Sequence, residues 1–526
     1  MKYTLGACTC IFLITNLLTA AAQDVAIQTQ SNYNSWGTAW DSVYVLKNNI
    51  VTLAAVPKIG GRIMQYDLGT HASMYVDSAN KGKVPAASAL LGGFRTLASP
   101  QSSFPWPPSP VLEVGQYSCA IKANTADSGV IYLESKLENT SGYDSLDGLQ
   151  FKRTITLYAS SSHVKVQMTM ANKGTKTLRH GIWDITECVC RNNNVPDTSN
   201  IWLYFPLNPT STMGGGKGFA QLQGADASQW KPNTAPGGIM GVQYRRKEAK
   251  VGADSKAGWI CYVDRLDGYA YVKRFTYETG KTYPDSGSSV EVYTSGSTTF
   301  LEEEVMGPVV SLAPNDSVGL VEDWYASRSK GPVLAVNNAG LLSKKLTIQQ
   351  THDTVKAQGV YGIFYEGTVK SIFKTAAGAT VAVADSNTVS PLDSFAYNDT
   401  LKVPATAAVL ALALYTVNGG FVGNLDSIAV APSAIFEGAE AKRGTIIAPD
   451  FKIFAKGNGV SIRVPFEGNY SFELTDIKGR LVGTFKETKP LHYIISPAAI
   501  QPGVYLVRAR FHGTAKCQRI ILPCFL

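Results

Sequence analysis

From His163 to Met170 apolar and polar residues alternate without a break. Val164, Val166, Met168 and Met170 fall on one side of an extended chain, and His163, Lys165, Gln167 and Thr169 on the other. A period of two is what a β-strand with one face in a core requires. The same period recurs over 43–46, 50–56, 131–137, 151–158, 201–205 and 290–294. Turn-forming clusters such as Asn172-Lys173-Gly174 and the glycine run 214–216 separate such segments. No amphipathic helical stretch of about 12 residues stands out before position 330. The pattern predicts an all-β region of at least a dozen strands, enough for two large packed sheets.

A chain of 526 residues is too long for one core, so two to four domains are expected. Charged residues make up 17%, below the usual ~25%. With 48 Gly, 25 Tyr and 20 Phe this balance favours strands and turns over helices. The net charge of +8 is thin for the length and its basic residues are scattered, which excludes a phosphate-tracking surface and nucleic acid as a partner. No Walker loop, nucleophile elbow, HExxH or paired CxxC occurs, so nucleotide use, α/β-hydrolase chemistry and zinc proteolysis lose their usual signals.

The first 22 residues read as an export signal: Met1-Lys2, an apolar run from Leu5 to Leu18, and small residues up to Ala22. Cys8 is not read as a lipid anchor, because the apolar run follows it. No later stretch approaches the ~20 apolar residues of a spanning helix, and no transmembrane segment is expected. A boundary is placed near Ser329–Pro332. The expected organisation is a large β-sandwich over 24–330, a small one over 331–432, a linker over 433–450 and a last β-module over 451–526. Six cysteines follow the signal. Cys517 and Cys524 bracket the last strand closely enough to pair. Cys188 and Cys190 read as alternate residues of a strand rather than a metal pair, since no histidine cluster accompanies them.

Four segments between positions 40 and 328 carry a resemblance. They are VPKIGGRIM at 56–64; GGFRTLASPQ at 92–101 with WPP at 106–108; HGIWDIT at 180–186; and VEVY at 290–293, running on through FLEEEVMGP at 300–308 to DWY at 323–325. Together they resemble an uncharacterised family with the galactose-mutarotase-like (aldose-epimerase-like) β-sandwich. The resemblance implies a carbohydrate-handling fold. Sugar mutarotases hold a histidine acid and a glutamate base on one sheet, and their signature around the catalytic histidine is not present as such here. The last module resembles C-terminal secretion-sorting domains of the type IX kind, through GNYSFELTDIKGR at 468–480, GVYLV at 503–507 and KCQRII at 516–521. It departs from them in the extra tail over 523–526. That resemblance implies the secretion machinery as a partner and a bacterial secreted or cell-surface location.

Within these segments Glu302, Glu303 and Glu304 are the sharpest chemical feature. On a strand Glu302 and Glu304 share a side with Phe300 and Met306. Carboxyls among apolar neighbours titrate high unless a cation pairs with them, which suits proton transfer at a sugar hydroxyl. Acidic residues also guard exposed strand edges. His180 is the histidine inside a family-like segment, on one face with Ile182 and Asp184, either as an acid working with the glutamates or simply hydrogen-bonded. Asp184 is a substrate-binding candidate or an arginine partner. Arg62 and Arg95 follow glycine pairs that allow close backbone approach, and bind sugar hydroxyls or structural carboxylates. Trp106, in a proline-rich loop, stacks on a sugar or plugs the sandwich edge.

The reading is an exported carbohydrate-active protein that transfers protons at a sugar, with Glu302 or Glu304 as base, His180 as acid, and Arg62, Arg95, Trp106 and Asp184 holding the substrate. The alternative is a non-catalytic glycan-binding or structural cell-surface protein. No cofactor and no metal ligand set is assigned. The Asp144–Asp147 turn is too loose a pattern for calcium.

Overall fold

In a computed structural model the described residues are 25–85, 89–431 and, beyond them, the strands between Lys452 and Leu522. The export signal, the linker, and the side chains of Cys517 and Cys524 lie outside them. The chain is almost entirely β, as its alternation predicts. Two short α-helices, Pro110–Glu113 and Met213–Gly216, are described, and among the described residues no helix is long and apolar enough to cross a membrane.

Two large antiparallel sheets hold the described residues from Ala26 to Arg328. Along its main path the first sheet runs Ala26–Gln30, Val43–Lys47, Val51–Val56, Arg62–Leu68, Gly93–Ser99, Leu178–Val189, Phe300–Met306, Val290–Thr294, Ala249–Ala253 and Phe219–Gln223. The second is ten-stranded and centred on Trp259–Asp264, Tyr269–Phe275, Ser317–Arg328 and Val164–Asn172. The alternation of the last strand is realised as written: Val164, Val166, Met168 and Met170 all point into the core between the sheets. Each fully buried apolar side chain of this size contributes about 1.5–3 kcal/mol.

The strands at the middle of the first sheet are buried on both faces. From His180 to Cys188 along Leu178–Val189, and throughout Phe300–Met306, every residue is buried. Even-numbered Ile182, Asp184, Thr186 and Cys188 turn toward the second sheet. Odd-numbered Trp183, Ile185 and Glu187 turn away from it. Cys188 and Cys190 are free thiols in the core between the sheets.

Strands from Ala335 to Ala429 form two further four-stranded sheets with their own core, including Val355, Tyr361, Phe373, Leu410 and Leu412. This small sandwich is packed against the large one. Phe364 stacks on Tyr325 with ring centroids 4.3 Å apart, in a cluster with Tyr204, Val263 and Leu341. The contacts divide the chain into two compact units between Ser433 and Ala434. The second unit has a three-stranded and a four-stranded sheet. Its strands include Gly459–Val464, Tyr470–Asp476, Leu481–Glu487 and Gly503–Phe511.

Candidate functional site

The face of the first sheet that turns away from the second sheet carries a cleft of about 430 Å³, within the range of small-molecule sites. Its floor is a row of side chains in cross-strand register, with a register shift at its last step. Glu187 lies opposite Glu302, Glu302 opposite Tyr293, Tyr293 opposite Lys250, and Lys250 opposite Gln223. Five strands thus deliver one polar line to one surface. The next row places Arg95 opposite Ile185, Ile185 opposite Glu304, and Glu304 opposite Glu291.

Charge neutralisation holds this floor together. Arg95 Nη1 donates to Glu113 Oε1 at 2.7 Å, and its Nη2 lies 3.2 Å from Glu302 Oε1 and 3.8 Å from Glu187 Oε1. Lys250 Nζ lies between Glu291 Oε2 at 2.7 Å and Glu304 Oε2 at 2.9 Å, and sits 4.5 Å from the centre of the Trp183 ring. Trp183 Nε1 donates to the same Glu304 oxygen at 2.6 Å.

Burial pulls the Arg95 guanidinium down, but Glu113, Glu187 and Glu302 more than offset that and raise it. Lys250 is likewise raised, with Glu304 and Glu291 outweighing burial. Burial, aided by the Glu304 charge, pushes Glu302 up to about 8. Burial raises Glu187 as well, against the pull of Arg95 and Arg62. Glu113 goes the other way: burial favours its neutral form, but Arg95 and Arg62 hold it below its ordinary value. Arg95, Lys250 and Glu302 keep side-chain exposures of 14, 11 and 11% and meet the cleft, while Glu113, Glu187 and Glu304 back them from below. Trp106, 56% exposed, and Tyr293 supply aromatic surface to the same cleft.

Glu302, Arg95 and Trp106 therefore come together, with Glu304 directly behind them. The other three proposed site residues do not line this cleft. His180 is 2% exposed on the interior face of its strand. Its Nε2 lies 2.7 Å from the carbonyl oxygen of Ser145, its Nδ1 3.4 Å from that of Ser99, so it ties the Ser145 turn to the sheet. Asp184 is fully buried between the sheets, paired with Lys273, and accepts the Val305 N–H at 2.5 Å. Its partner is a lysine, not an arginine. Arg62 is also fully buried; it meets Glu113 at 2.5 Å and donates to the Gly92 carbonyl at 2.9 Å.

Of the two glycines before Arg62, Gly60 serves the loop that carries Glu113. Gly60 has φ +70°, and a Cβ there would lie 2.1 Å from the Glu113 carbonyl oxygen. Pro110–Glu113 is a single helical turn capped by Ser109 Oγ, which accepts from Leu112 N at 3.2 Å. It brings Glu113 between the two arginines. Glu113, Glu187, Lys250 and Tyr293 are members of the site that the local sequence does not single out. Each lies in a different segment, and the strand register that assembles them is non-local.

No family model matches the chain and no curated protein does. Among solved structures, it is similar to a Synechocystis sp. PCC 6803 protein at 12% identity over 55% of this chain and 96% of that one, with a TM-score of 0.39. A TPR-domain containing protein from Parabacteroides distasonis matches at 12% identity and TM-score 0.39 over 56% of this chain, which spans 48% of that protein. A galactose mutarotase-like protein from Clostridium acetobutylicum matches at 10% identity and TM-score 0.38, over 58% of this chain and 99% of that one.

Proposed function

We propose that the large sandwich is a carbohydrate-binding domain and that the sugar lies on the Arg95–Glu302–Lys250 floor with Trp106 against one of its faces. One observation carries this reading. Partly exposed charged groups that are already neutralised among themselves share a cleft with an exposed indole. A sugar has hydroxyls at its rim and C–H groups on its faces. Carboxylate and guanidinium groups bind the hydroxyls through paired, charge-assisted hydrogen bonds, and an aromatic face covers the C–H surface. Because Arg95 and Lys250 are each matched by carboxylates, the floor favours a neutral sugar over an anionic one. The motif resemblance to mutarotase-like proteins points the same way.

Proton transfer at the bound sugar is the second reading, and Glu302 favours it. A carboxyl raised to about 8 holds its proton at neutral pH and can give it to the ring oxygen as the bond from that oxygen to the anomeric carbon breaks, while Glu187, opposite in register, takes the proton of the anomeric hydroxyl, whose oxygen becomes the carbonyl of the open sugar. His180 takes no part. Export by the N-terminal segment, and engagement of the secretion machinery by the last module, complete the proposal.

Saturation-transfer NMR with a panel of neutral mono- and oligosaccharides tests binding, and exchange spectroscopy on the anomeric signals tests turnover. Binding without exchange leaves a glycan-binding protein. Exchange that disappears in Glu302→Gln while binding persists establishes the catalytic reading. Absence of both removes the proposal.

A further inference from the structure

A second polar concavity, of about 690 Å³, lies elsewhere on the large sandwich, where a turn of the second sheet meets the edge of the first. His71 enters it from a short strand paired with Asp67 and Leu68. Asp264 ends the strand Trp259–Asp264, and Asp267 lies in the turn that leads to Tyr269. Among the described residues, these three form a group whose donor atoms all lie within 4.8 Å of one another.

The protons of this group leave one position open. His71 Nδ1 is 3.1 Å from Asp267 Oδ2. A carboxylate only accepts, so Nδ1 carries the hydrogen. Nε2 then presents a lone pair. It is fully buried, has no hydrogen-bond partner, and faces Asp264 Oδ2 at 3.8 Å, too far for a hydrogen bond. Asp264 Oδ1 is committed to the Leu266 and Asp267 N–H groups at 3.0 and 3.3 Å, which leaves Oδ2 toward the imidazole. The ring cannot easily turn away, since it stacks on Tyr269 with centroids 4.1 Å apart.

Two acceptors facing one another across 3.8 Å call for a cation between them. We infer that His71 Nε2 and Asp264 Oδ2 bind a divalent transition-metal ion, with Asp267 orienting the imidazole from its far side. The gap is shorter than two metal–ligand bonds of about 2.0–2.2 Å laid end to end, so one ion reaches both atoms without moving either. Imidazole with carboxylate suits zinc and its first-row neighbours, and a carboxylate on the distal imidazole nitrogen is the usual support of a metal-bound histidine. The remaining coordination positions open into the concavity, where Arg191, Arg328 and Asn192 stand ready for water or an anionic ligand. The ion ties the first sheet to a hairpin of the second. The inference is independent of the sugar cleft.

Isothermal titration of the metal-stripped full-length protein with Zn²⁺ tests it, with thermal melting as second readout. The wild type should bind one equivalent and gain on the order of 2–4 °C in melting temperature at saturation. His71→Ala and Asp264→Asn should lose both effects, Asp267→Asn should bind about tenfold more weakly, and exposed His352→Ala should match the wild type. Wild-type crystals soaked in Zn²⁺ should show an anomalous peak beside His71 Nε2, a check that needs no variant to fold. Failure of the wild type to bind, retention of binding in His71→Ala, or a peak elsewhere with none at His71 would overturn the inference.

Discussion

Glu187 and Glu302 lie opposite each other on paired strands and approach the same guanidinium nitrogen, Arg95 Nη2, at 3.8 and 3.2 Å. Two buried carboxyls around one cation cannot both ionise cheaply. Burial and the Glu304 charge raise the titration of Glu302, and Glu187 adds to them against the pull of Arg95, so the cleft holds a proton rather than presenting a plain anionic surface.

That raised titration makes stability depend on pH. Glu302 titrates at about 8 when folded against 4.5 for an unperturbed glutamate, and Glu303 and Glu291 are pushed by burial to about 8 as well. Between these values the folded chain keeps protons that the unfolded chain has released. Stability therefore falls as pH rises from 4.5 through about 8, by up to about 1.4 kcal/mol per pH unit for each such group. Glu302→Gln, a permanent neutral form, should make the fall shallower. Chemical denaturation across this range checks it, and an unchanged slope would refute the Glu302 assignment.

Arg95 holds three carboxylates. Arg95→Met should destabilise the protein by about 3–5 kcal/mol, the cost of leaving buried charges unpaired, and should abolish sugar binding. Arg95→Lys keeps a charge but not the planar fork, and should fall between Met and the wild type in denaturant midpoint.

His180 is a test of the opposite kind. His180→Leu leaves the part-buried Ser145 carbonyl without its donor and should cost about 1 kcal/mol, with no change in sugar affinity or turnover. A loss of turnover with unaltered stability would return His180 to a catalytic role.

Much of the fold was legible because a period of two reports strands directly. Among the residues that line the cleft, Glu302, Arg95 and Trp106 stand out in the sequence because each sits in a distinctive local segment. The even-numbered face shared by His180 and Asp184 was read correctly, but not which way it turns. Leu178–Val189 is buried on both sides along most of its length, so hydrophobic alternation carries no information there about inside and outside. Arg62 misled for a related reason: Gly60 does permit close backbone approach, but to the Glu113 loop rather than to a ligand, and Gly61 makes room for the Tyr117 and Leu133 side chains.

The central claim is that the floor of Arg95, Glu302 and Lys250 beneath Trp106 binds carbohydrate, and a glycan array followed by calorimetric titration of the best binder is its most direct measurement. The account predicts at least one neutral glycan bound by the wild type and His180→Leu alike. It predicts affinity weakened on the order of tenfold, about 1.4 kcal/mol, in Trp106→Ala, whose exposed ring contributes little to folding. An array with no bound glycan, or an affinity that Trp106→Ala and Arg95→Lys both leave untouched, would contradict it.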